Sequence, residues 1–263
     1  MKTLKRVFFI AIFVYIATVL TLFLFQEKLI FVPTKVDTKY KFNFDSPFKE
    51  LNLKANDGAI LNGVVFKAKK AKGAVLFFHG NAGWIKNWEN AKNVWLELGY
   101  DFYLFDYRGY GKSGGKINSE KELFIDAKLM LNEVLKDFKL ENIIVVGHSL
   151  GTGIAAKTAC DAMAKNLVLL SPYYSFENLA KEIMPFVPKF TLKYKIKTAD
   201  FLQNCQSRIN IFHGKNDELI KISHSQNLSK FLKPNDKIYL LNASHNDIFY
   251  NQEFLNLVKT SFK

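Results

Sequence analysis

Apolar residues fall along the chain in two regimes: one long unbroken run near the start, then short runs separated by segments of helical period. Residues 7–25, VFFIAIFVYIATVLTLFLF, hold no charge over 19 positions. As a helix such a run measures about 28 Å, close to the thickness of a bilayer's hydrocarbon layer. It is apolar on every face, unlike a half-buried surface helix. Further on, Leu51–Ala55 and Leu61–Phe66 flank Asn56-Asp57-Gly58, a hairpin signal. Short apolar runs then recur at Ala74–Phe78, Asp101–Phe105, Ile143–Val146, Leu167–Leu170, Ile209–Phe212 and Lys237–Leu241. Each has the length of a strand buried on both faces. Helical stripes fill most gaps. The clearest carries Leu123, Ala127, Met130, Leu131, Val134 and Phe138, with Ser119 and Glu122 spaced as a capping box. A last helix is expected to bury Leu255, Val258 and Phe262. Strands alternating with helices predict an α/β fold, a mostly parallel sheet covered on both faces.

Lys2, Lys5 and Arg6 precede the long apolar run. The positive-inside tendency therefore predicts a cytoplasmic N-terminus and a remainder across the membrane. A cleaved signal peptide would have a shorter run and small residues at its end. This run ends Leu22-Phe23-Leu24-Phe25-Gln26, which favours an uncleaved anchor inserted in a lipid bilayer. The expected organisation is a cytoplasmic stub and anchor over 1–28, then one domain over 29–263 with a lid-like segment near 173–206. In that segment Met184, Phe186, Val187, Phe190 and Leu192 offer either a small apolar lid or the packed face of an ordinary connector.

Composition narrows the function classes. The 263 residues are 49% hydrophobic and carry a formal net charge of +13. The basic residues are 34 lysines and three arginines, Arg6, Arg108 and Arg208, scattered rather than clustered. Nucleic-acid sites favour the planar arginine fork, so no nucleic-acid partner is expected. A solvated basic surface, with some attraction to anionic headgroups, fits better. Cys160 and Cys205 have no CxxC partner and cannot define a disulfide framework; a single bridge between them stays open. No HExxH or His/Cys cluster occurs, so neither metal nor cofactor is expected.

The strongest chemical signal is Ile143-Ile144-Val145-Val146-Gly147-His148-Ser149-Leu150-Gly151, a buried strand running into G-x-S-x-G with a helical pattern directly after it. This arrangement is a nucleophile elbow, a turn so tight that its flanks require glycine. It exposes the Ser149 hydroxyl beside a helix N-terminus, whose N–H groups can hold an oxyanion. A nucleophilic serine needs a base, and the base needs an orienting acid, in the chain order Ser, Asp or Glu, His. Among five histidines, His245 follows the final strand, in Asn242-Ala243-Ser244-His245-Asn246-Asp247. His79, His148 and His213 sit at strand ends beside glycines, and His224 at a helix start. The acid should follow the preceding strand, and Asp217 in His213-Gly214-Lys215-Asn216-Asp217 does; Glu218 is its neighbour. The oxyanion hole is expected from the N–H groups of Leu150 and of Asn81, the latter in His79-Gly80-Asn81-Ala82-Gly83. Trp84 and Trp88 are open between an acyl pocket and the core.

Gly109-Tyr110-Gly111-Lys112-Ser113-Gly114 also matches G-x-G-x-x-G after a strand. A dinucleotide fingerprint should open a helix at once, whereas here the helix begins only near Ser119. Asp106 stands where a P-loop needs its first glycine, so nucleotide binding is disfavoured.

Taken together, several segments resemble the Bem-like branch of the α/β-hydrolases. They are Gln26–Pro33 after the anchor, Phe78–Gly83, Asp106–Ser113, Gly147–Gly151, His213-Gly214 with Asp217, and Ser244–Asp247. The resemblance implies the α/β-hydrolase fold and a serine hydrolase without cofactor. It does not specify a substrate, since similar proteins include lysophospholipid lipases and protein depalmitoylases. The stretch Tyr173–Gln206 is richer in lysine and aromatics than that family's pattern. The expected function is hydrolysis of carboxylic esters or thioesters of lipid-like or acylated substrates near the membrane. A serine peptidase is the enzymatic alternative, and an anchored non-enzymatic scaffold the other, against which an intact Ser-Asp-His set argues.

Overall fold

The computed structural model describes residues 1–263. The chain begins with helix α1 (Lys2–Ile30), which is long and apolar enough to cross a membrane, with a mean hydropathy of 2.8 over its best window. Strand β1 (Val32–Pro33) follows, then the hairpin β2 (Phe48–Lys54) and β3 (Ile60–Phe66), with Gly58 in the left-handed region at the turn. Next come β4 (Gly73–Phe78), the short β5 (Ala82–Gly83), helices α2 (Ile85–Trp88) and α3 (Asn93–Glu97), β6 (Tyr100–Phe105) and α4 (Glu120–Val134). The second half runs β7 (Ile143–His148), α5 (Gly151–Ala162), β8 (Asn166–Leu170), α6 (Phe176–Ile183), α7 (Thr198–Leu202), β9 (Arg208–Gly214), α8 (Ser223–Leu228), β10 (Lys237–Leu241) and α9 (Gln252–Phe262).

The eight-stranded sheet has the order β10-β9-β8-β7-β4-β6-β3-β2. All its pairings are parallel except those of β3 with β2 and β6. Period-two alternation divides each central strand between two cores. In β4, Ala74, Leu76 and Phe78 join the cluster under α4, α5 and α7, while Val75 and Phe77 face the cluster with Val94, Trp95 and Val258. A strand whose residues must all be apolar is what burial on both faces requires. Parallel strands also collect their C-terminal ends on one edge, so the loops after β4, β6, β7, β9 and β10 converge there.

Helix α4 starts at the expected cap: the Glu122 N–H donates to Ser119 Oγ at 3.2 Å. The returning arm lands one residue early, since Glu122 Oε2 accepts from the Asn118 N–H at 2.9 Å. The helix stops at Val134, so Phe138 packs from the following turn rather than from the helical stripe. In α9 the fully buried positions are Phe254, Val258 and Phe262, and Leu255 is only partly covered. Cys160 and Cys205 form a disulfide.

Candidate functional site

The elbow after β7 is built from steric necessity. A Cβ on Gly147 would lie 2.5 Å from the Gly151 carbonyl oxygen, and one on Gly151 would lie 2.1 Å from that of Phe78. Between them Ser149 sits at φ 52°, in the left-handed region that a non-glycine residue enters at a cost of about 1–3 kcal/mol. The strain is held by its surroundings. The Ser149 N–H donates to the Leu170 carbonyl at 3.0 Å, and Thr152 Oγ1 donates to the Ser149 carbonyl at 2.6 Å. Tyr173 Oη donates to the Leu150 carbonyl at 3.1 Å.

Asp217 and His245, from the loops after β9 and β10, are brought together. His245 Nδ1 donates to Asp217 Oδ2 at 2.7 Å, which leaves Nε2 as the free ring nitrogen. Both residues are buried. Asp217 Oδ1 accepts from the backbone N–H groups of Leu219 (3.0 Å) and Ile220 (2.8 Å). Burial by itself would raise the Asp217 pKa. The His213 ring 3.4 Å away, the His245 bond and the Ile220 N–H outweigh it and hold the carboxyl well below the usual carboxylate range. Glu218 points to solvent.

His148 joins the elbow to the histidine loop: its Nε2–H donates to the His245 carbonyl at 3.1 Å. Burial, and then the neighbouring His245, lower its pKa to about 3, so it is a neutral donor. In the sequence His148 stands out only as a residue beside a glycine at a strand end. Its tie to residue 245 spans 97 positions, which no local pattern reveals.

The backbone N–H groups of Leu150 and Asn81 donate to no acceptor within the chain. The Asn81 carbonyl, by contrast, is held twice, by the Val32 N–H at 2.9 Å and by Tyr110 Oη at 2.6 Å. Asn81 Nδ2 donates to the Ile30 carbonyl at 3.2 Å, in the last turn of α1. Strand β1 pairs with β5 in parallel, Val32 beside Ala82 and Pro33 beside Gly83. The segment that leaves α1 is thus stitched to the loop after β4, a contact the sequence reading did not foresee.

The glycine-rich stretch after β6 braces this same loop. Tyr107 Oη donates to the His79 carbonyl at 2.8 Å, and Ser113 Oγ to the Asp106 carbonyl at 2.8 Å. Gly111 sits at φ 48°, where a Cβ would be 1.9 Å from Asp106 Oδ2. Arg108 fixes the base of the stretch with paired bonds to Asp126, from Nε at 2.6 Å and Nη2 at 3.0 Å. Gly111 thus serves close packing, and Gly109, at φ 78°, serves the turn.

Trp84 and Trp88 separate. Trp84 stacks on Phe42 and meets Tyr40 edge to face. Trp88 lies beside His148 and Phe249 and lines an open cleft with Ala82, Gly83, Asn246 and Tyr250. This cleft borders both the Asn81 loop and the His245 loop.

Residues 73–204 match the family model described as the alpha/beta hydrolase fold. An uncharacterized protein of Acanthamoeba polyphaga mimivirus, R595, is 28% identical over 230 residues, covering 78% of each chain. A putative alpha/beta hydrolase of the same virus, L404, is 30% identical over 188 residues, 66% of this chain and 67% of that one. Among solved structures, an esterase of Pyrococcus furiosus superposes with a TM-score of 0.70 at 19% identity, over 88% of this chain and 94% of that one. The mostly parallel sheet flanked by helices is that of the alpha/beta hydrolase fold, and the chain belongs to the alpha/beta hydrolase family.

Proposed function

We propose that the protein is a serine hydrolase of carboxylic esters or thioesters, acting on lipid-like or acylated substrates beside the membrane that α1 crosses. The observation that carries this reading is the 2.7 Å bond from His245 Nδ1 to an ionised, buried Asp217, with Ser149 strained on the neighbouring elbow. Ser149 Oγ attacks the acyl carbon while His245 Nε2 takes its proton, and Asp217 stabilises the imidazolium. The carbonyl oxygen gains charge, and the uncommitted N–H groups of Leu150 and Asn81 are the donors for it. His245 returns the proton to the departing alkoxide or thiolate. Water, deprotonated by the same nitrogen, then releases the acid from Ser149. The cleft along Ala82, Trp88 and Phe249 accommodates the apolar part of the substrate.

Two features favour work at a membrane. The Asn81 loop touches the end of α1 through Ile30 and Val32, so the reaction centre stands close to where the chain leaves the bilayer. The Cys160–Cys205 disulfide suits an oxidising compartment, and Lys2, Lys5 and Arg6 favour a cytoplasmic N-terminus, so the catalytic domain lies on the outer side. An acyl-ester series from two to sixteen carbons, with thioesters and peptides alongside, tests the substrate class. Turnover rising to medium or long chains supports the reading; turnover of acetyl esters or peptides alone defeats it.

A further inference from the structure

Helix α1 does not stand free of the domain. Tyr15 Oη donates to the Phe186 carbonyl at 3.0 Å. Gln26, buried against the domain, donates from Nε2 to the Thr191 carbonyl at 3.2 Å and accepts from the Lys193 N–H at 2.8 Å. Lys193 Nζ pairs with Glu27 at 3.0 Å. The segment between α6 and Lys193 therefore runs alongside the helix from residue 26 down to residue 15. At 1.5 Å per residue this is about 16 Å, roughly half the hydrocarbon thickness. Tyr15 lies near the middle of the charge-free run 7–25.

The segment suits that depth. Residues 183–192 read IMPFVPKFTL, with Lys189 as the one charge, and Lys189 is paired to Glu177 at 2.9 Å. Ile183, Phe186 and Phe190 are 63%, 52% and 84% exposed, a poor arrangement in water. Irregular backbone is costly in hydrocarbon unless its polar groups are paired. Here Pro185 and Pro188 have no N–H, and Met184, Val187, Thr191 and Leu192 donate to carbonyls within the segment or α6, which leaves the N–H groups of Phe186, Lys189 and Phe190 without an acceptor in the chain. An apolar groove lies between the segment and α1, walled by Leu22, Phe23 and Leu29 on one side and Leu179, Met184 and Val187 on the other. Lys181 lines the groove itself, and Lys193, Lys195 and Lys197 line a separate cleft, basic residues that suit anionic headgroups.

We propose that Ile183–Leu192 is inserted into the hydrocarbon of the leaflet on the domain's side, and that acyl chains of that leaflet fill the groove between this segment and α1. The inference rests on reading α1 as a membrane span: if the helix crosses the bilayer, its bonds to Phe186 and Thr191 carry the segment in with it.

The test uses the full chain in vesicles of phosphatidylcholine and phosphatidylglycerol, with single cysteines labelled by a nitrobenzoxadiazole fluorophore in the absence of reductant. The positions are Phe13→Cys in α1, Phe186→Cys and Phe190→Cys in the segment, and Met163→Cys at the far end of α5, an exposed control. Doxyl-labelled phosphatidylcholine should quench the probes at 13, 186 and 190 several-fold more than the probe at 163. Quenching at 13 with 186 and 190 no different from 163 overturns the insertion alone. Absence of quenching at 13 overturns the membrane span, and the insertion with it. Turnover of a soluble ester in the same samples reports the hydrolase reading separately.

Discussion

The Val32 N–H, two residues beyond the end of α1, donates to the Asn81 carbonyl at 2.9 Å. Asn81 offers its own N–H on the other side of the residue, so a bond made by strand β1 fixes the orientation of a candidate oxyanion donor. The Val32 side chain is half exposed and contributes little packing, which makes the N–H its main asset. Val32→Pro deletes that donor. It should lower kcat by roughly 10- to 100-fold with little change in KM, because a misaimed oxyanion donor weakens the transition state more than substrate binding. Val32→Ile should behave as the parent. Unchanged kcat in Val32→Pro, at an unchanged Tm, contradicts this role.

Asp217 and Glu218 are adjacent carboxylates in opposite situations, one buried against His245 and one in solvent. Asp217→Asn keeps an oxygen for the Leu219 and Ile220 N–H groups but removes the charge beside the imidazole. It should cost roughly 10³- to 10⁴-fold in kcat at near-parental stability. Glu218→Gln should cost little. The reverse pattern in steady-state kinetics would mean that the wrong carboxylate has been identified.

Acid should destabilise the fold well above the carboxylate range. Burial lowers the pKa of His79 to about 4 and, with the neighbouring His245, that of His148 to about 3, whereas unfolded histidine titrates near ~6.5. Between these limits the unfolded chain binds more protons, so stability is full above about pH 6.5 and falls with acidification, on the order of 1.4 kcal/mol per pH unit for each histidine. Asp217 acts in another window. Its folded pKa is depressed, so its contribution persists above about pH 4 and is lost only below it. The carboxyl of Asp106, raised by burial, takes up a proton in the folded state and offsets part of this loss, so denaturant titrations should find the fold less stable at pH 5 than at pH 7.5 by less than the two histidines alone would give. Equal stabilities would show that these histidines are protonated without cost.

The disulfide links α5 to the segment before β9 across 45 residues of sequence. Chain-entropy arguments assign a loop of that length about 4 kcal/mol, with about 2–4 kcal/mol typical of measured bridges. Cys160→Ala with Cys205→Ala should lower Tm by roughly 5–15 °C in thermal unfolding. No change would remove the bridge from the stabilising features.

What could be read from the sequence followed from short-range rules. The elbow is legible because Gly147, Ser149 and Gly151 sit within five residues and a buried strand announces them. His245 and Asp217 are legible because parallel strands bring their C-terminal loops to one edge, so chain order alone ranks the histidines. The tie from His148 to the His245 carbonyl and the stitch from Val32 to Asn81 were not legible. Each joins backbone carbonyls to groups 97 and 49 residues away, and a carbonyl has no residue-type signature. The Cys160–Cys205 bridge was open for a similar reason: two cysteines say nothing about distance until α5 and the loop before β9 are packed.

The proposed chemistry stands on Ser149 as a nucleophile activated by His245. The most direct measurement is reaction of the full chain with a fluorophosphonate probe, followed by digestion and mass spectrometry. One phosphonylated site is expected, Ser149, with labelling abolished in Ser149→Ala and slowed by several orders of magnitude in His245→Ala. A modified residue other than Ser149, or labelling of Ser149→Ala at the parental rate, would contradict it.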